Sequence, residues 1–405
     1  MQRTMRTLKY FALFCWVALA PCVATAQSVR TGAERMSLYL PLLQGKRVGL
    51  VAHQASMVYH CDLDTLPPTH TLDLLLGHGV QVVRLFSPEH GFRGNSEAGE
   101  QVGDSVDAQT GLCIVSLDGN NKKPTQQQLD SIDVMVFDLQ DMGVRFFTYL
   151  STLHYVMEAC AQKGVPLVVF DRYNPHTSYV DGPMLDSSQR SFVGMHPVPV
   201  VYGMTIGEYA LMINGQHWLD QGLSCQLVII PLQGFAHEMS LTPSVSPSPN
   251  LSTRRAMLLY PSLCFFEGTN VSVGRGTPWP FEVVGAPAYK RHRGIARRGH
   301  HDFSFTPQPT ALAASPLFKG KQCHGLDLRH YPARPKLDLS FLIQLYEGMP
   351  RDAFFLKNGF FDRLAGTTAL RTQLQQGASE DDMRDSWKPG IEKFMAVRGK
   401  YLLYP

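Results

Sequence analysis

Within the segment SPEHGFRG at 87–94, Glu89, His90 and Arg93 place a carboxyl, an imidazole and a guanidinium within a span of five residues. A carboxyl can give or take a proton, an imidazole can orient it, and a guanidinium fork can hold an anion at two points. Three other polar groups also follow apolar runs. Asp138, Gln140, Asp141 and Arg145 lie in DLQDMGVRFFTY (138–149), Asp171, Arg172 and Asn174 in FDRYNP (170–175), and Glu267, Thr269, Asn270 and Arg275 in FEGTNVSVGRG (266–276). Carboxylates, amides and arginines beside Tyr149, Trp279 or Phe281 suit a polar ring: amides and carboxylates bind hydroxyls, and aromatic faces pack on sugars. Glycoside cleavage needs such a set, with one carboxyl protonated and another ionised. Each group alone also has a plain structural reading as a turn, a loop cap or a surface ion pair.

The elements that must position these groups form a repeating pattern. Short apolar runs at Arg47–Ala52, Val80–Phe86, Leu112–Leu117, Val134–Leu139, Leu167–Phe170 and Cys225–Ile230 alternate with stretches of helical spacing. Such runs predict a parallel sheet covered on both faces, and ligands bind such sheets at the carboxyl ends of their strands. The first three polar groups should therefore meet in one crevice. After Arg145, the residues Leu150, Leu153, Val156, Met157 and Cys160 make one helical stripe that stops at Gly164. Thr205 and Glu208 fit a capping box, which assigns Glu208 a structural role.

LTPSVSPSPN at 241–250 reads as a linker or long loop, and the pattern changes beyond it. Leu258–Phe266 is apolar, 268–287 is rich in Gly and Pro, and helices are expected at Leu339–Leu345 and Glu380–Ala396. The fold class expected is α/β: a Rossmann-like, mostly parallel sheet domain at 27–250, followed by a smaller α+β domain at 251–405 that completes the cleft. A basic stretch at 290–301 with His292, His300 and His301 reads as a solvated loop.

Arg3, Arg6 and Lys9, an apolar run from Tyr10 to Ala20, and Ala24-Thr25-Ala26 form an export signal that predicts a mature start at Gln27. The expected location is therefore periplasmic or secreted. Lipid attachment at Cys22 ranks second, because Pro21 occupies a place that normally holds a small residue. Those 26 residues take three of the 37 basic residues and none of the 34 acidic ones. The mature chain is then near neutral, which argues against nucleic acid or a polybasic membrane surface as partner. Cys61, Cys113, Cys160, Cys225, Cys264 and Cys323 have no metal-ligand spacing, and Cys113, Cys160, Cys225 and Cys264 read as buried thiols. No G-x-S-x-G, phosphate loop, G-x-G-x-x-G or zincin motif is present, and no cofactor or metal is expected.

Together these segments, with YGMTIGEYA (202–210), PSPN (247–250) and FEGTNVSVGRGTPWPFEVVGAP (266–287), resemble the exo-β-N-acetylmuramidases of the NamZ type. The resemblance implies release of terminal N-acetylmuramic acid from the non-reducing end of peptidoglycan fragments, with muramyl saccharides as partners. It also implies a Rossmann-like amino-terminal domain and a catalytic glutamate at Glu89. Tyr173 stands where the family has proline. On this reading Glu89 is the general acid and His90 orients it or meets the leaving sugar. Asp141, Asp171 and Glu267 compete for the second carboxyl, and Arg145, Arg93 or Arg275 binds the lactyl carboxylate. Gln140, Tyr149, Asn174 and Asn270 complete the expected sugar contacts. A non-catalytic sugar-binding protein and a deacetylase or amidase on the same polymer are the rival readings.

Overall fold

The computed structural model describes residues 29–59, 67–89, 91–93, 104–290 and 302–405. The export signal, Cys61, His90 and the basic stretch at 291–301 lie outside the described residues. Helix α1 (Met36–Leu43) precedes β1 (Arg47–Ala52), and β2 (Met57–Val58) pairs with β3 (Thr69–His70) ahead of α2 (Thr71–Gly77). The chain continues through β4 (Gln81–Ser87), β5 (Ser105–Val106), β6 (Cys113–Ser116), β7 (Val134–Asp138), α3 (Tyr149–Lys163), β8 (Leu167–Phe170), α4 (Ile206–Gly215) and β9 (Leu227–Ile230). These strands form a seven-stranded sheet in the order β5-β6-β4-β1-β7-β8-β9. All its pairings are parallel except the β5 edge. Without β5 this is the 3-2-1-4-5-6 order of a doubly wound sheet.

Side-chain alternation sorts the strands onto two cores. Val48, Leu50, Val134, Val136, Val168 and Phe170 face a cluster that includes Tyr39 and Leu43 of α1 and Leu72 and Leu75 of α2. Val51, Met135, Phe137, Leu167 and Val169 face the opposite cluster, with Leu153 and Met157 of α3 and Ile206 and Ile213 of α4. Helix α3 ends at Gly164, whose φ of 75° is the left-handed cap expected there. The capping box of Thr205 and Glu208 opens α4.

The second part comprises α5 (Arg254–Leu263), an antiparallel sheet of β10 (Val283–Ala286), β11 (Asp302–Phe305) and β12 (Cys323–Asp327), then α6 (Ser340–Glu347), α7 (Phe360–Ala365), α8 (Ala369–Gln376) and α9 (Glu380–Arg398). The apolar run before the fourth polar group is therefore helical: α5 continues into a 3-10 turn over Cys264–Gly268. Phe265, Phe266, Val273 and Phe281 share one core with Phe146 and Tyr202 of the first part. The stretch at 241–250 consequently spans two packed halves. Cys160, Cys225, Cys264 and Cys323 are buried, as expected for the first three, whereas Cys113 is exposed at the outer end of β6.

Candidate active site

A cavity of about 150 Å³ lies between the two halves. Its wall includes Glu89 from the loop after β4, Phe146 to Tyr149 at the start of α3, Ser248 and Leu251, Tyr260 and Cys264 of α5 and its extension, Glu267, Arg275 and Phe281. Phe147 packs edge-on against Tyr149 with ring centroids 4.7 Å apart, and Tyr260 meets Phe281 at 5.2 Å. Carboxyl groups facing aromatic rings are the equipment of a sugar site.

Glu89 is half-buried, and Thr148 Oγ1 donates to its Oε2 at 3.4 Å. Gly91, two residues on, has a φ of 74°, the left-handed turn that lets the loop reverse after the strand. Arg275 donates from Nε and Nη2 to Oε1 of Glu267, at 3.0 and 2.6 Å. Oε2 of Glu267 accepts from Cys264 Sγ at 3.6 Å, so both carboxylate oxygens are oriented. Burial, reinforced by Glu267, pushes the Cys264 thiol well above its ordinary range, so it supplies no thiolate nucleophile. The guanidinium of Arg275 lies over Phe281 at 5.3 Å.

Tyr149 is locked by a chain whose proton positions follow from the donors. Gln140 N–H donates to Nε2 of His53 at 2.9 Å, which places the imidazole proton on Nδ1. Nδ1 then donates to the Tyr149 hydroxyl at 3.1 Å, and that hydroxyl donates to Pro247 O at 3.1 Å. His53 follows directly on the β1 run, at the point where the strand order reverses. That position, a polar residue ending an apolar strand, is the signal that could have found it.

Several expected ligands instead build the protein. Arg145, 1 % exposed, donates to the carbonyls of Pro183 and Val198 from Nη1 and of Leu364 and Ala365 from Nη2, so it clamps α7 over the cavity and has no fork left for a lactyl carboxylate. Arg93 is spent on Asp107 at 3.0 and 3.1 Å and on Asp73 at 3.5 Å. Asp171 is fully buried and accepts from Thr205 Oγ1 and Gly207 N at the start of α4 and from the hydroxyl of Tyr404, far along the chain. Burial, opposed by the Tyr404 hydrogen bond, raises it to about 7. Arg172 reaches Asp138, not a surface partner, through Nε at 2.6 Å and Nη2 at 3.0 Å.

Asp141 accepts from Tyr202 Oη and from Gly143 N at 2.7 Å, and burial raises it to about 6 against those two bonds. It does not line the cavity. Asn174 joins Met204 O to His176 N, and a side chain at Gly143 would sit 2.0 Å from its Oδ1. Gln140 donates to Asp141 O and Tyr173 O and borders a separate cavity with Glu34 and Arg172. Asn270 donates to Ala353 O, pinning the loop that follows Glu267. Of the expected residues, Glu89, Tyr149, Glu267, Arg275 and Phe281 share the cavity, and Trp279 does not line it. Thr148, Ser248 and Tyr260 join them without having been singled out, although Thr148 and Ser248 fall inside quoted motifs. Among the described residues, no group of His, Cys, Asp and Glu could hold a metal ion.

Comparison with known proteins gives concordant matches. The family models described as exo-beta-N-acetylmuramidase NamZ, N-terminal and C-terminal, match residues 48–255 and 258–404. A peptidoglycan beta-N-acetylmuramidase NamZ of Bacillus subtilis (strain 168) is 36% identical over 397 residues, which is 94% of this chain and 92% of that protein. Two solved structures of DUF1343 family proteins from Bacteroides fragilis align with TM-scores of 0.82 and 0.79, at 38% and 27% identity. Each alignment covers 93% of this chain and 99% of the other.

Proposed function

Given that the chain belongs to the exo-beta-N-acetylmuramidase NamZ family, we propose that Glu89 and Glu267 are the carboxyl pair with which it hydrolyses the glycosidic bond of terminal N-acetylmuramic acid in peptidoglycan fragments. The observation that carries this assignment is that these two carboxyls, from different halves of the chain, line one aromatic-walled cavity. Asp141 and Asp171, the other candidates for the second carboxyl, are enclosed elsewhere.

Glu89 donates its proton to the glycosidic oxygen as the bond from that oxygen to C1 breaks, and the shortened glycan leaves with the new hydroxyl. Positive charge developing on C1 and the ring oxygen is stabilised by Glu267, held in place by Arg275 and Cys264. Water adds its oxygen to C1, and its released proton restores the acid. His53 and the Asp138–Arg172 pair are buried at the reversal of strand order, where they are bonded within the protein, and the reaction is assigned to the cavity of Glu89 and Glu267. An exported chain, cleaved after Ala26, would meet this polymer outside the cytoplasm.

Incubation with a chromogenic aryl N-acetylmuramide tests the reading. Steady release of the aryl alcohol is expected, insensitive to chelators. Calorimetric binding of N-acetylmuramic acid without release between pH 4 and 9 would make the chain a binding protein instead.

A further inference from the structure

A second cavity, of about 260 Å³, adjoins the first, and Glu267 and Arg275 line both. The ion pair is therefore a partition. Beyond it the wall is largely apolar, with Phe266, Val271, Val273, Leu317 and Leu356. Phe266, Val271 and Val273 are buried, while Leu317 is 42% exposed and stands at the rim.

Muramic acid differs from glucosamine by one substituent, a 3-O-lactyl arm that carries a carboxylate and a methyl on the same carbon. Such an arm needs a cation next to an apolar surface. Arg145 and Arg93 are consumed by carbonyls and by aspartates, whereas Arg275 uses Nε and Nη2 toward Glu267 and keeps Nη1 out of that pair. Among the described residues that line the two cavities, Arg275 is the one cation, and it stands at the edge of the apolar space. We propose that this second cavity is the lactyl subsite: Nη1 of Arg275 binds the carboxylate, and Val271, Val273 and Leu317 enclose the methyl. The proposal rests on the hydrolase reading above and adds to it the feature that selects muramyl over glucosaminyl ends.

Three aryl glycosides test it: the N-acetylmuramide, its 3-O-carboxymethyl analogue without the methyl, and the N-acetylglucosaminide. The native protein should lose about tenfold or more in kcat/KM when the methyl is removed, and more when the whole arm is removed. Leu317→Trp, at an exposed rim position, should bring the muramide to carboxymethyl ratio toward one, chiefly through KM. Leu356→Trp fills the same space from another loop and should do likewise. A native ratio near one, or a native ratio retained in both folded variants, would overturn the subsite. If none of the three is cleaved, the hydrolase reading falls. The same ratios are then read from calorimetric Kd values for the three corresponding free sugars, where absence of a lactyl preference overturns the subsite.

Discussion

The carboxylates at the ends of β4, β7 and β8 stand at the same end of the same sheet, yet Glu89 faces a cavity while Asp138 and Asp171 face helix starts. Glu89 lines the cavity beside Thr148. Asp138, by alternation, points to the face covered by α1 and α2, where it accepts from Thr71 at the first residue of α2 and pairs with Arg172. Asp171, on the opposite parity, accepts Gly207 N and Thr205 Oγ1 at the start of α4. The positive end of a helix favours an anion, and here the protein supplies its own. A strand-end carboxylate that finds a helix terminus thus becomes architecture, and one that finds open space beside rings is available for chemistry.

The contrast can be broken most severely at the buried pair. Arg172→Ala leaves Asp138 enclosed without its cation and should cost about 3–5 kcal/mol in urea unfolding. An unchanged midpoint would mean that the pair is not structural. Asp141 gives a pH signature. Its folded value of about 6 lies above the ordinary 3.8, so the folded protein holds this proton more tightly between pH 4 and 6. Its contribution to stability is complete below about pH 4 and falls as pH rises to 6, by up to about 3 kcal/mol. Asp141→Asn should flatten that fall in midpoints measured across the range, and an unaltered slope would assign it to other groups.

On the cavity side, Glu267→Gln should reduce kcat about a hundredfold, or about 2.7 kcal/mol of barrier, with a small change in Tm because the pair is a quarter exposed. Tyr149→Phe keeps the ring and removes the hydroxyl that joins His53 Nδ1 to Pro247 O, leaving Pro247 O its bond from Gln54 Nε2 at 3.1 Å. A loss of about 1–2 kcal/mol in stability and a several-fold loss in kcat are expected. Full activity would show that the hydroxyl lock is dispensable to the wall.

Much of the frame was legible because it depends on local pattern. The apolar run Arg47–Ala52 is β1, Leu167–Phe170 is β8, and the stripe ending at Gly164 is α3. Which strand-end residues reach the cavity depends on partners far along the chain. Tyr404 approaches Asp171 across 233 positions, and Leu364 takes Arg145 across 219. No spacing rule carries that information. PSPN at 247–250 was a family motif inside a linker-like stretch, and its structural use became visible with Pro247 bonded to Tyr149 and Ser248 in the wall. Cys113 departs from the buried thiol expected of it because an apolar run describes the strand as a whole, while the outer end of β6 is open to solvent.

The division between building and reacting carboxyls rests on Glu89, so the decisive measurement is turnover of a chromogenic N-acetylmuramide by Glu89→Gln, with Tm and the Kd for N-acetylmuramic acid taken on the same preparation. Glutamine preserves the shape and removes the proton donor. A fall in kcat of about a hundredfold or more, at unchanged Tm and little-changed Kd, is the predicted result. Turnover close to that of the native protein would contradict the account.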